Sequence, residues 1–149
     1  MTRHAATRFV PAPPEVVYEA FVRPERLVRW LPPQGATGQV DVFEPRAGGR
    51  IRITLRFASA PGKSGDHTDV VEGRFVELSP GERIVQAFSF QSDAPEFAGV
   101  MTMRWAFARQ DGGTRVTVTA EGVPRGIARE DHEKGMASSL ENLAAFVAA

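Results

Sequence analysis

The chain changes its hydrophobic period part-way along. Between residues 14 and 31 apolar side chains recur every three or four positions. Val17, Ala20 and Phe21 share one face of PPEVVYEAFV, and Leu27, Trp30 and Leu31 share one face of PERLVRWL. That spacing predicts two short helices. Each opens on a proline, which suits a first helical turn because the N–H it lacks would have no partner there. From residue 40 the period is two. VDVFE (40–44), RIRITLRF (50–57), TDVVEGRFVEL (68–78), ERIVQAFSF (82–90), VMTMRWAFARQ (100–110) and TRVTVTAE (114–121) read as strands, with HAATRFVP (4–11) as an earlier one. Gly48-Gly49, SPG and DGG supply turns. The chain closes on a helix over about 127–147, where Met136, Leu140, Leu143 and Val147 follow one another at spacings of four, three and four.

The strand GVMTMRWAF puts Met101, Met103, Trp105 and Phe107 on one face. A two-residue turn at either Gly112-Gly113 or Asp111-Gly112 sets that row against Val116, Val118 and Ala120, so both strands bury the same side. The last helix is the available cover. The expected fold is α+β: a curved antiparallel sheet of about six to seven strands wrapped around a long C-terminal helix, with two short helices after the first strand. The row is either packed core or the floor of a cavity, depending on how far the helix fills the space above it.

Composition narrows the setting. At 149 residues the chain is one expected domain, 1–149. A chain of that size buries about 70% of its unfolded surface, so it needs no covalent staple, and there is no cysteine. Eighteen basic and eighteen acidic residues cancel, which argues against a nucleic-acid partner. No apolar run approaches the ~20 residues that cross a bilayer, and the first ten residues carry no signal-peptide pattern. The expectation is a cytoplasmic protein without membrane insertion.

Candidate chemistry is sparse. Gly62-Lys63-Ser64 resembles the tail of a phosphate loop, but the glycine required five residues earlier is Phe57. Asp66, His67 and Asp69 cluster in a polar loop without metal-site spacing, so neither a metal nor a cofactor is expected. His4 falls at the frayed start. His132 lies on the buried stripe of the last helix, either as a half-exposed core histidine or as a polar group at a cavity mouth. Gln86 interrupts the row Ile84, Phe88, Phe90, and a turn at Pro80-Gly81 sets it opposite Phe75. If buried, its amide needs partners. Arg50, Arg52 and Arg56 share the opposite face of their strand, as a solvated face or as charge for a partner.

The run VYEAFVRPERLVRWLPP (17–33) resembles the opening helical pair of the family named for the activator of the heat-shock-protein-90 ATPase (homologue 1-like), within the START-like, or SRPBCC, superfamily. Gly48-Gly49-Arg50 before an alternating strand, VVEGRFVELSPGERIVQAF, the hairpin ending TRVTVTAEG and the long last helix continue the likeness over nearly the whole chain. Many members carry Gly-Trp in the last helix where this chain has Gly135-Met136. The resemblance implies the helix-grip fold and an elongated apolar cavity between sheet and helix. It therefore implies a small hydrophobic or aromatic ligand held by Trp30, Phe57, Phe75, Gln86, Phe88, Met101, Met103, Trp105, His132, Met136 and Leu140. Met101 and Met103 suit a permissive pocket. Two alternatives stand beside this. One is a cyclase- or hydrolase-type enzyme using His132 with Glu121 or Gln86 in the same pocket. The other is a protein-interaction module, with a chaperone as partner or a second copy of the chain in a homodimer.

Overall fold

The computed structural model describes residues 3–59, 62–65 and 67–148. In chain order the elements are β1 (Arg3–Val10), α1 (Pro14–Val22), α2 (Pro24–Leu27), β2 (Ala36–Phe43), β3 (Arg50–Phe57), β4 (Thr68–Ser79), β5 (Arg83–Phe90), a single 3-10 turn (Pro95–Phe97), β6 (Met101–Gln110), β7 (Gly113–Glu121) and α3 (Arg129–Ala148). The strands form one antiparallel sheet in the order β1-β7-β6-β5-β4-β3-β2, curled around α3. This is the helix-grip fold.

The sheet's inner face follows from the alternation. Met101, Met103, Trp105 and Phe107 are all buried, and the outward Val100 is 62% exposed. The last hairpin turns at Asp111-Gly112, both with positive φ, the geometry that matches the twist of its strands. Phe107 therefore faces Val116 and Trp105 faces Val118. The partner of Gln86 is Phe75, as expected, but through two compensating irregularities. The turn takes three residues, because Ser79 pairs with Arg83, and a bulge between Phe75 and Glu77 restores the register. The extra residue, Val76, points to solvent. Gly73 also belongs to the inner row. A Cβ there would stand 1.7 Å from the Ala87 carbonyl oxygen, so only glycine lets β4 and β5 approach so closely.

Three elements differ from the expected boundaries. β2 starts at Ala36, because its first residues are polar and at a sheet edge, where alternation is weak. α2 is one turn long rather than reaching Leu31. Pro32 disfavours helical geometry at Leu31, and α3 supplies donors to the carbonyls that the end of this segment leaves without partners of its own. Ser139 Oγ donates to the Leu31 carbonyl at 2.6 Å, and Asn142 Nδ2 donates to those of Trp30 and Pro32. His4 is not frayed: it is 1% exposed, inside β1. On the outer face Arg52 lies near Asp41 and Glu72, and Arg56 donates to Gln39.

α3 supplies the cover, but unevenly. It runs close along β1, where the Ala5 N–H donates to Glu133 at 2.9 Å, and stands further from the strands on the other side of the sheet. Met136, Leu140 and Leu143 are buried beneath it. A helix drawn to one edge protects that edge from pairing with other chains. It also leaves the middle of the sheet incompletely filled.

Candidate ligand cavity

Between α3, the segment after α2 and the inner faces of β3 to β6 lies a cavity of about 610 Å³. Trp30, Phe57, Gln86, Phe88, Met101, Met103, Trp105, His132 and Met136 all border it. Phe75 and Leu140 do not. Phe75 packs edge-on against Phe43, with ring centroids 5.5 Å apart, and Leu140 is fully buried in the core. Phe75 follows the parity of its strand and Leu140 the stripe of its helix, and either periodicity gives the face of an element but not the depth along it. Glu121 is also outside the wall. It ends β7 on the outer face, opposite Thr102, so it is not available to a pocket reaction.

One end of the cavity is aromatic. Phe21, Trp30 and Trp105 meet in edge-to-face and tilted contacts, with centroids 4.6 Å (Phe21–Trp30), 5.0 Å (Phe21–Trp105) and 5.7 Å (Trp30–Trp105) apart. Such pairs hold their geometry beyond simple burial. The Trp30 indole N–H donates to the Ala20 carbonyl at 2.9 Å, tying α1 to the segment after α2. The Trp105 N–H donates to Gln86 Oε1 at 3.2 Å.

The glycine-lysine-serine segment has a structural task. The Lys63 backbone N–H donates to Asp69 Oδ1 at 2.6 Å, its ammonium pairs with Asp69 Oδ2, and the Val70 N–H donates to Ser64 Oγ. Asp69 is 4% exposed and faces inward opposite Leu55. The Lys63 Nζ lies 5.2 Å from the centre of the Phe90 ring and 5.9 Å from that of Phe57. Both charges border the cavity and cancel within it. Asp69 is thus bound up in an ion pair rather than offered to a metal; Asp66 lies outside the described residues. Among the described residues no three His, Cys, Asp or Glu side chains are grouped to hold a metal ion.

His132 has the partner that the sequence did not reveal. Its Nδ1 lies 2.8 Å from Nδ1 of His4. One ring donates and the other accepts, so two neutral rings of opposite tautomer satisfy the contact. His4 is behind the wall and His132 is in it. The parity of His4 with Ala6 and Val10 was the available signal for its burial. Burial, then the neighbouring His4, then the Lys63 ammonium lower the His132 pKa to about 4, with Glu133 opposing. Burial also lowers that of His4, and Arg129 adds to the effect.

This pair makes stability depend on pH. The unfolded chain binds a proton at His132 near its ordinary value of 6.5, whereas the folded chain resists until about 4. Stability is therefore complete above 6.5 and falls as the pH drops through that window. We expect a loss on the order of 2 kcal/mol between pH 7 and pH 4.5, allowing for solvent screening. Urea denaturation at the two pH values measures it. His132→Gln should flatten the dependence, and an equally steep loss in that variant would assign the effect to other groups.

Comparison with known proteins adds context. The family model for activator of Hsp90 ATPase homolog 1-like proteins matches residues 11–148. No match is found among curated proteins. The structure of protein CV1439 from Chromobacterium violaceum is similar at 33% identity and a TM-score of 0.88, over 99% of this chain and 97% of that one. A Rhodobacter sphaeroides protein is similar in fold at 23% identity and a TM-score of 0.81, over 99% and 92% of the two chains. DynU16, described as a putative protein in the dynemicin biosynthetic locus, shares the fold at 20% identity and a TM-score of 0.71; the match covers 99% of this chain and 47% of that one.

Proposed function

The chain belongs to the family of activator of Hsp90 ATPase homolog 1-like proteins, and we propose that it binds a small hydrophobic or aromatic molecule in the cavity between the sheet and the C-terminal helix. The observation that carries this is the cavity's volume and wall together. About 610 Å³ is within the range of small-molecule sites, and the wall is aromatic and methionine-rich with few polar groups. A well-packed interior of this size would hold few voids larger than a water molecule.

A thermal-shift panel of fatty acids, sterols and polycyclic aromatics tests it. A binder raises Tm with concentration, by an amount set by its free concentration over Kd. At least one class should do so in a saturable way. A flat Tm across the panel would count against small-molecule binding.

The contact between His4 and His132 favours a second reading, a cyclase- or hydrolase-type enzyme. The neutral His132 would take a proton from a bound substrate, with His4 holding the ring by its Nδ1. If so, His132→Ala removes turnover of a substrate drawn from the binding panel, and unchanged turnover removes His132 from the chemistry.

A further inference from the structure

Gln86 is 7% exposed, on the inner face of β5 between Phe75 and Met103. Among the described residues its side-chain hydrogen bond is the one accepted from the Trp105 indole at 3.2 Å. An indole N–H can only donate, so the end of the amide facing Trp105 must be the carbonyl oxygen. The other end, the NH₂ group, is left without a hydrogen-bond partner among the described residues, on a side chain that borders the cavity. That nitrogen is not sealed inside the protein, so it stays open to an acceptor on a molecule that enters the cavity. It would be left buried and unpaired only under a bound molecule that offers none.

Three other polar groups of the wall are already engaged. The Trp30 N–H is bonded to Ala20, the Ser139 hydroxyl to Leu31, and Lys63 to Asp69. The charge of the wall is equally informative. Lys63 and Asp69 neutralise each other, His132 is uncharged at pH 7, and Asp131 stands exposed at the rim. Among the described residues the wall holds no uncompensated cation to receive an anion, and an unpaired charge brought into such a site pays a heavy desolvation cost.

We infer that the molecule held here is uncharged and ring-containing, and carries a carbonyl-type oxygen that accepts a hydrogen bond from the Gln86 amide. The inference rests on the cavity being a binding site. Phe88, Met101 and Met103 flank Gln86 in the sheet and supply the apolar bed for the rings. Gln86 then has two roles: its oxygen orients Trp105 and its nitrogen selects the ligand. A site built to bond a polar atom discriminates strongly against a same-shaped molecule that lacks it, because the donor is then buried unpaired.

The test is displacement of the neutral fluorophore N-phenylnaphthylamine at pH 7.5 by three naphthalenes. Acetylnaphthalene carries a carbonyl, isopropenylnaphthalene has the same shape with CH₂ in place of oxygen, and naphthoate is an anion. Acetylnaphthalene should displace the fluorophore about tenfold more strongly than isopropenylnaphthalene, the worth of one hydrogen bond. Naphthoate should be the weakest. In Gln86→Leu the carbonyl advantage should vanish, while isopropenylnaphthalene holds its affinity within about threefold. Equal affinities in the wild type, an advantage that survives Gln86→Leu, or naphthoate as the strongest competitor would each overturn the inference. The wild-type comparison stands even where the variant folds poorly. A fluorophore that binds without any carbonyl preference defeats only this inference, whereas no binding of the fluorophore or of any naphthalene defeats the proposed function itself.

Discussion

Trp30→Ala should lower the free energy of unfolding by about 3–5 kcal/mol, the range for removing a large buried aromatic. Trp30 has no exposed surface. It touches Phe21 and Trp105 ring to ring, and its N–H holds the Ala20 carbonyl. Its own carbonyl is held by Asn142 of α3. The side chain thus joins the segment after α2 to α1 and the sheet, while the backbone of the same residue is tied to the last helix. A domain of this size has a total stability of about 5–15 kcal/mol, so the loss would consume a large share. Trp30→Phe keeps most of the ring contact and loses the hydrogen bond, so it should cost less, about 1–3 kcal/mol. Urea denaturation of the three proteins at pH 7 gives the values. A loss below about 1 kcal/mol for Trp30→Ala would mean that the aromatic cluster does not anchor the helical pair.

The second large effect is expected from filling the cavity. Met103 is 8% exposed and borders the cavity beside Gln86. In a filled core, Met103→Trp would force neighbours out of their rotamers and cost about 1–3 kcal/mol. Beside a cavity the larger indole has room to enter, and stability should change by less than about 1 kcal/mol. Binding should behave in the opposite way, with affinity for N-phenylnaphthylamine falling at least about thirtyfold because the indole occupies the ligand's volume. The two readouts together separate core from cavity: overpacking damages stability and leaves nothing to bind, whereas cavity filling preserves stability and removes binding.

Much of the fold was legible because its alternation is clean where the sheet is buried on one side. RIRITLRF alternates strictly and MTMRWAF nearly so, and hairpin parity set the row against Val116, Val118 and Ala120. The Asp111-Gly112 turn of the structure chose between the two registers left open and placed Trp105 opposite Val118. The wall was legible where a residue's face decides its role. It was not legible where depth decides, and so Phe75 and Leu140 joined the expected set although they pack below the space. The charged part of the wall was hidden for another reason. Asp69 shares the inward parity of Val71, Gly73 and Phe75, but an acidic residue after a glycine-rich loop reads as solvated. Only the closure of residues 62–65 over the end of β4 brings Lys63 to it. His4 and His132 are 128 positions apart in sequence. No local pattern could join them, since their contact depends on α3 returning to the edge strand.

The most direct measurement is a fluorescence titration of N-phenylnaphthylamine into the wild-type protein and Met103→Trp. For the wild type we predict saturable enhancement with a blue shift and a stoichiometry of one per chain, and for the folded variant neither. A wild-type protein that gives no saturable signal, or a variant that binds as well as the wild type, would contradict a ligand site between the sheet and the C-terminal helix.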